Sequence, residues 1–171
     1  MASDKVEHGL YKVYNSWLKD YMGKEVTFVE VGIYKGESLN DFSNIFANTS
    51  TIYGVDIINP MTAYGSKLEP NIIFIQADQT DPRIREQIPN QVDIVLDDAS
   101  HAAALTRATF NLLWDKVKPG GIYIIEDCHP QLHSLWVEVN KIQEEHKDEI
   151  QEVLVYECEN PLAATRGFIK K

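Results

Sequence analysis

Two short runs hold the residues best equipped for chemistry. Val92-Asp-Ile-Val-Leu-Asp97-Asp98-Ala99-Ser100-His101 ends an apolar stretch in two carboxylates, with an imidazole three residues further on. Gly121-Ile-Tyr-Ile-Ile-Glu126-Asp127 ends a second apolar stretch in two more carboxylates. If the two stretches are neighbouring strands, about 4.8 Å apart, then Asp98, Glu126 and Asp127 converge on one small volume. Crowded carboxylates repel one another and resist ionisation unless a cation neutralises them. Hard oxygen ligands suit Mg²⁺, with Mn²⁺ or Ca²⁺ as the alternatives. An ion held there can take a substrate hydroxyl and lower its pKa, and His101 is then spaced to accept the proton near neutral pH. Asp97 is expected on the structural or cofactor side of this cluster. Cys128 and His129 stand beside Glu126-Asp127, but with His101 they match no zinc spacing.

A second constellation lies nearer the start. In Glu30-Val31-Gly32-Ile33-Tyr34-Lys35-Gly36, two glycines permit a sharp turn and the approach of a ligand to bare backbone at a helix N-terminus. The turn departs from G-x-G-x-x-G, with Tyr at 34 and Glu at 37, which argues against a pyrophosphate and leaves room for a nucleoside without phosphates. Asp56 follows at about the interval where a carboxylate meets the two hydroxyls of a ribose.

These residues must be carried by something that aligns strand ends. Val26 to Val31, Thr51 to Asp56, Ile72 to Ile75, Gln91 to Leu96 and Gly121 to Ile125 read as strands, separated by helices at Glu37 to Ala47, from Asp81-Pro82 to about Ile88, and at Ala102 to Val117. The continuous Val/Ile character of the strands is that of a parallel sheet covered on both faces, and the alternation gives a doubly wound, Rossmann-like α/β fold. Before it, Val6, Leu10, Val13, Tyr14, Trp17, Leu18 and Tyr21 share one face of a helix over Asp4 to Tyr21, read as packing on the core. After it, a helix over Gln131 to Lys147 precedes Glu152 to Tyr156 and, past a Pro161-containing loop, Gly167 to Ile169. Two strands with no helix between them predict an antiparallel hairpin at the sheet edge, making seven strands. The stretch from Ile58 to Asn71, holding Pro60, Gly65 and Pro70, shows no helical period and reads as a long loop over a binding site or a surface excursion.

The order strand, acidic-x-Gly-x-x-x-Gly turn, second strand ending in Asp56, and terminal antiparallel hairpin resembles the class I S-adenosylmethionine-dependent methyltransferases over nearly the whole chain after residue 24. That resemblance implies a cofactor site made of Glu30, Gly32 and Gly36 at the methionine end with Ser38 at its carboxylate, Asp56 at the ribose, and Asp78 and Gln79 by the adenine, with Tyr34 and Asp97 also among the cofactor-binding residues. The pair of motifs Asp97-Asp98-Ala99-Ser100-His101 and Glu126-Asp127 is similar to those of the metal-dependent sugar O-methyltransferases of macrolide biosynthesis, which carry Asp-Gly-Ser-His after strand four. Here the glycine is Ala99, a change that bears on the loop geometry. The resemblance implies Asp98, Glu126 and Asp127 as metal ligands, His101 with Asp98 as the catalytic pair, S-adenosylmethionine and Mg²⁺ or Mn²⁺ as cofactors, and a small hydroxylated acceptor, a sugar of a glycoside in preference to a catechol.

Composition sets the outer bounds. The chain has 171 residues, 44% hydrophobic and 25% charged, with 9 Gly and 7 Pro, which suits one globular domain over 1–171. A net charge of −10 from 16 basic and 26 acidic residues disfavours a nucleic-acid backbone or an anionic membrane as partner. No apolar run reaches the roughly 18–20 residues that span a bilayer, and the first residues lack a signal-like apolar region. A cytoplasmic protein is expected, with Cys128 and Cys158 reduced. With the core using most of the chain, a homo-oligomer whose subunit contacts complete the acceptor pocket is a compatible expectation. Two rivals share the same residues: a nucleoside-binding module without turnover, and a metal-dependent hydrolase or oxygenase built on the acidic cluster alone.

Overall fold

The computed structural model describes residues 10–131, 133–156 and 164–171. Along the chain run α1 (Leu10–Trp17), β1 (Thr27–Val31), α2 (Glu37–Ile45), β2 (Thr51–Asp56), α3 (Pro60–Tyr64), β3 (Ile72–Gln76), α4 (Arg83–Gln87), β4 (Val92–Asp97), α5 (Ala103–Leu113), a 3₁₀ turn (Trp114–Lys116), β5 (Val117–Ile125), α6 (His133–Glu145), β6 (Ile150–Tyr156) and β7 (Thr165–Lys170). The strands form one seven-stranded sheet in the order β3-β2-β1-β4-β5-β7-β6. The first five are parallel, and β7 runs antiparallel to both β5 and β6. The terminal hairpin is therefore inserted second strand first, and β6 forms the edge.

Side chains alternate across this sheet and feed two cores. Phe28, Ile52, Ile94, Leu96, Ile122 and Ile124 pack with Leu10, Tyr14, Leu39 and Phe42 of α1 and α2. Val29, Val31, Val55, Val95, Tyr123 and Ile125 pack with Phe110 and Leu113 of α5 and with Leu135 and Val139 of α6. Every residue of β4 is buried, as a central strand covered on both faces must be. The order of strands reverses between β1 and β4, and this switch point is where a crevice opens beyond the carboxyl ends.

Several boundaries differ from the sequence reading. The helix expected over Ala102 to Val117 ends at Leu113, and β5 begins at Val117 rather than Gly121. Gly120, at φ 76 within β5, takes a left-handed conformation, and that local break hides the strand's first half from a reading by apolar runs. The Ile58 to Asn71 stretch contains a helix, α3, that the sequence reading lacks. Its signal was local: the Asn59 side chain accepts from the N–H groups of Met61 and Thr62, Pro60 takes the first helical position, and Gly65 ends the helix in the left-handed region. A five-residue helix shows no periodicity to detect. The beginning of the predicted N-terminal helix, the Pro161 loop and Cys158 lie outside the described residues, while Cys128 is a buried free thiol, with burial pushing its pKa up to about 12.

Candidate active site

Register brings the site together. Val31 pairs with Asp97, and Asp97 with Ile125, so the next residues, Gly32, Asp98 and Glu126, leave the sheet at one level. Gly32 has φ 86, and a Cβ on it would stand 2.3 Å from the Asp98 carbonyl oxygen and 2.5 Å from the Ala99 Cα. The glycine turn and the β4 loop therefore stack backbone on backbone, and only glycine fits between them. Asp56 tightens the same turn from the side. One oxygen of its carboxylate accepts the N–H groups of Ile33 (3.0 Å) and Tyr34 (2.9 Å), and the other accepts that of Ile58 (2.8 Å). Each carboxylate oxygen can take two hydrogen bonds, so capacity remains for a ligand hydroxyl.

Two adjoining cavities share Gly32, Asp56 and Ala99. The larger, about 440 Å³, is bordered by Tyr34, Lys35, Glu37, Ser38, Ile58 and Tyr64 on one side and by Asp98, His101 and Asp127 on the other. The smaller, about 320 Å³, has an apolar wall of Ile57, Ala77 and Leu105 and is lined also by Asp78 and Gln79. Thr80 donates to Asp78 through both its hydroxyl and its N–H and holds that carboxyl below its usual pKa. Gln79 is fixed by donating to the Thr109 hydroxyl at 2.9 Å.

At the far end of the larger cavity, one ligand atom each from Asp98, His101 and Asp127 lies within 4.8 Å of the others. The His101 Nε2 is 3.8 Å from Asp98 Oδ1 and 3.6 Å from Asp127 Oδ2, too long for direct hydrogen bonds. Two carboxylates and an imidazole set around one point at this spacing fit a small cation with oxygen ligands. Glu37 and Asp56 add negative charge to the same cavity, against Lys35.

The backbone around this cavity is strained. Of the four non-glycine residues with positive φ among those described, Tyr34 (φ 48), His101 (φ 53) and Asp127 (φ 52) all line it. Each such residue costs about 1–2 kcal/mol and persists only where its surroundings fix it. Ala99 is not among them, so the alanine in this loop carries no left-handed strain.

Not every expected residue faces the cavities. Gly32, Tyr34, Ser38, Asp56, Asp78 and Gln79 do. Gly36 instead shapes the entry to α2 at φ 76, with the Leu68 side chain where a Cβ would be. Glu30, fully buried, accepts the Ser38 hydroxyl at 2.7 Å beneath the turn. The strand period of two decides the remaining acids. It sends Asp97 to the α5/α6 face, where it is 3% exposed, faces the Tyr123 hydroxyl, and is pushed by burial to a pKa of about 7. It sends Glu126 to the α1/α2 face, where its carboxylate accepts the Tyr14 hydroxyl. The three groups that converge are Asp98, His101 and Asp127, and Glu126, expected beside Asp98 and Asp127 as an oxygen ligand, holds the Tyr14 hydroxyl instead. Burial and the charges of Glu126, Asp98 and Glu30 hold the Tyr14 phenol protonated, its pKa well above the ordinary value. Tyr14 and Tyr64 are the aromatic residues of this region that sequence reasoning missed. In α1 the apolar spacing marks Tyr14 only as a core residue, and Tyr64 reaches the cavity only because α3 forms, its ring set edge-on 5.2 Å from that of Tyr34.

Comparison with known proteins agrees with this geometry. Mycinamicin VI 2''-O-methyltransferase of Micromonospora griseorubida is 36% identical over 124 residues, covering 67% of this chain and 30% of its own length. Demethylmacrocin O-methyltransferase of Streptomyces fradiae is 33% identical over 124 residues, with the same shares. Among solved structures, MycE methyltransferase from the mycinamycin biosynthetic pathway, in complex with Mg, SAH and mycinamycin VI, superposes with a TM-score of 0.73 at 26% identity, covering 93% of this chain and 48% of that one. The chain thus spans 30% of the length of these curated relatives and about half of that solved structure. Residues 29–128, more than half of the chain, match the family described as a methyltransferase domain. Since that match runs from within β1 to just past Asp127 and takes in every residue bordering the two cavities, the chain belongs to the methyltransferase-domain family.

Proposed function

We propose that this protein is an S-adenosylmethionine-dependent, divalent-metal-dependent O-methyltransferase acting on a hydroxyl of a small acceptor, a sugar of a glycoside or antibiotic-type metabolite. The observation that carries this reading is the opening of the Asp98, His101 and Asp127 cluster onto the same cavity as the Gly32 turn and Asp56. Gly32 borders both cavities, where a residue without a side chain suits a ligand laid on bare backbone. Asp56 would take a ribose hydroxyl, Ser38 would meet the methionine end, and the adenine would rest on Ile57, Ala77 and Leu105 with Asp78 and Gln79 beside it.

Asp98 and Asp127 would hold the cation, a number of protein carboxylates that suits Mg²⁺ or Mn²⁺. When bound, the ion supplies Lewis acidity that lowers the acceptor hydroxyl's pKa. His101, facing both carboxylates, would take the hydroxyl proton as general base, and the freed oxygen would attack the sulfonium methyl by direct displacement. Glu30 and Asp97 would act from beneath, by fixing Ser38 and the β4 end.

The names of the relatives support a sugar hydroxyl as the acceptor. The net charge of −10 supports a small molecule over nucleic acid or an anionic membrane surface, and no described helix is long and apolar enough to cross a membrane. A single domain over 1–171, a cytoplasmic setting and a homo-oligomer that completes the acceptor pocket belong to the same proposal.

Calorimetry with S-adenosylhomocysteine, with and without Mg²⁺, tests it before any acceptor is known, followed by methyl transfer to mycinamicin VI as a probe glycoside. Binding of the thioether, and methyl transfer that stops in excess chelator and returns with Mg²⁺, are expected. Absence of thioether binding, or full transfer in chelator, would refute it.

A further inference from the structure

Tyr14 sits in α1, 112 residues from Glu126 in sequence, yet its hydroxyl donates to the Glu126 carboxylate. Both side chains are buried, at 1% and 2% exposure. A buried phenol and a buried carboxylate each need a partner, and the Tyr14 ring is held in place edge-on to Phe42 at 5.4 Å. The Glu126 backbone is fixed separately, its N–H donating to the Asp97 carbonyl at 3.0 Å. On the other side of Asp127, the Cys128 N–H donates to the Ala164 carbonyl at 2.9 Å. Asp127 therefore hangs between two anchored neighbours in a left-handed conformation, φ 52, with its carboxylate turned to His101. A residue in that conformation keeps it only if its flanks cannot relax. The Tyr14 hydroxyl holds the flanking side chain on the α1 side, as the core around α6 holds that of Cys128 on the other.

We propose that Tyr14 is a positioning residue: through Glu126 it fixes the Glu126-Asp127 turn and so sets the affinity of the Asp98, His101 and Asp127 cluster for a divalent cation. This rests on the metal site proposed above. It also gives α1 a function beyond packing, since the helix reaches the Glu126-Asp127 turn while none of its residues borders the two cavities.

The test uses Tyr14→Phe, which keeps the ring and removes the hydroxyl, with Asp127→Asn as reference. Mn²⁺ binding is read on the full chain without cofactor by electron paramagnetic resonance, alongside S-adenosylhomocysteine affinity by calorimetry and the urea midpoint. The expected result is Mn²⁺ affinity about tenfold weaker in Tyr14→Phe, the scale of loss for groups that orient metal ligands, with thioether affinity within about twofold of wild type. Unchanged Mn²⁺ affinity in Tyr14→Phe, while Asp127→Asn loses binding, overturns the role of Tyr14 and leaves the metal site standing. Equal weakening of Mn²⁺ and thioether binding also overturns it, because general loosening of the fold then accounts for the effect. Wild-type Mn²⁺ affinity in Asp127→Asn removes the metal site itself, and this inference with it.

Discussion

Gly32 and His101 show how much of this site rests on single backbone angles. Gly32→Ala adds a Cβ into the Asp98 carbonyl in a conformation that disfavours side chains. The left-handed strain and the clash together are expected to cost about 3 kcal/mol or more, a fall in melting temperature of roughly 10 °C for a chain of this size, measured by calorimetry. His101 is held at φ 53 with its Nε2 toward both Asp98 and Asp127. His101→Gln removes the base and is expected to slow methyl transfer to the probe glycoside by roughly 10²–10⁴-fold, while S-adenosylhomocysteine affinity stays near wild type. An unchanged rate would take His101 out of the base role. Asp98, His101 and Asp56 were legible as chemistry in the chain because their types and spacing were. Tyr14 was not, because a phenol on an apolar helix face reads the same whether or not its hydroxyl has a task.

Among elements, α5 and α6 pack together over the face of β4 and β5 that carries Val95, Tyr123 and Ile125. Arg107 of α5 donates to Glu138 of α6 at 2.6 Å and pairs also with Glu145. The guanidinium holds Glu138 below its usual pKa. A carboxylate depressed on folding contributes stability that is present above its unfolded pKa, near 4.5, and is lost as pH falls through the lower folded value. Glu138→Gln is therefore expected to cost about 1 kcal/mol at pH 7, some 2–4 °C, and less as the pH falls below 4.5, as compared in thermal melts at two pH values. An equal loss at both would assign the effect to packing. The parallel strands were readable because burial on both faces writes continuous Val/Ile runs, as in β4. The helix α3 escaped because it is held by end caps at Asn59 and Gly65 and not by a buried stripe.

For the molecule as a whole, the nucleoside cavities take residues from the ends of β1, β2, β3 and β4 together. A ligand there ties the parallel half of the sheet into one unit. S-Adenosylhomocysteine at a hundred times its dissociation constant is expected to add roughly 2.7 kcal/mol, seen as a rise of about 5–10 °C in melting temperature. No shift at that concentration would mean that the cavities do not hold the thioether.

By itself the chain determined its fold class, the acidic strand ends and the glycine turn, because these follow from local periodicity, from residue chemistry and from the conformational freedom of glycine. Only the tertiary structure decided which acids face which ligand. Asp97 and Glu126 turned into the two cores, while Asp98 and the left-handed Asp127, both past the ends of their strands, met His101. That choice depends on what waits on each face, Tyr123 on one and Tyr14 on the other, and no spacing along the sequence records it.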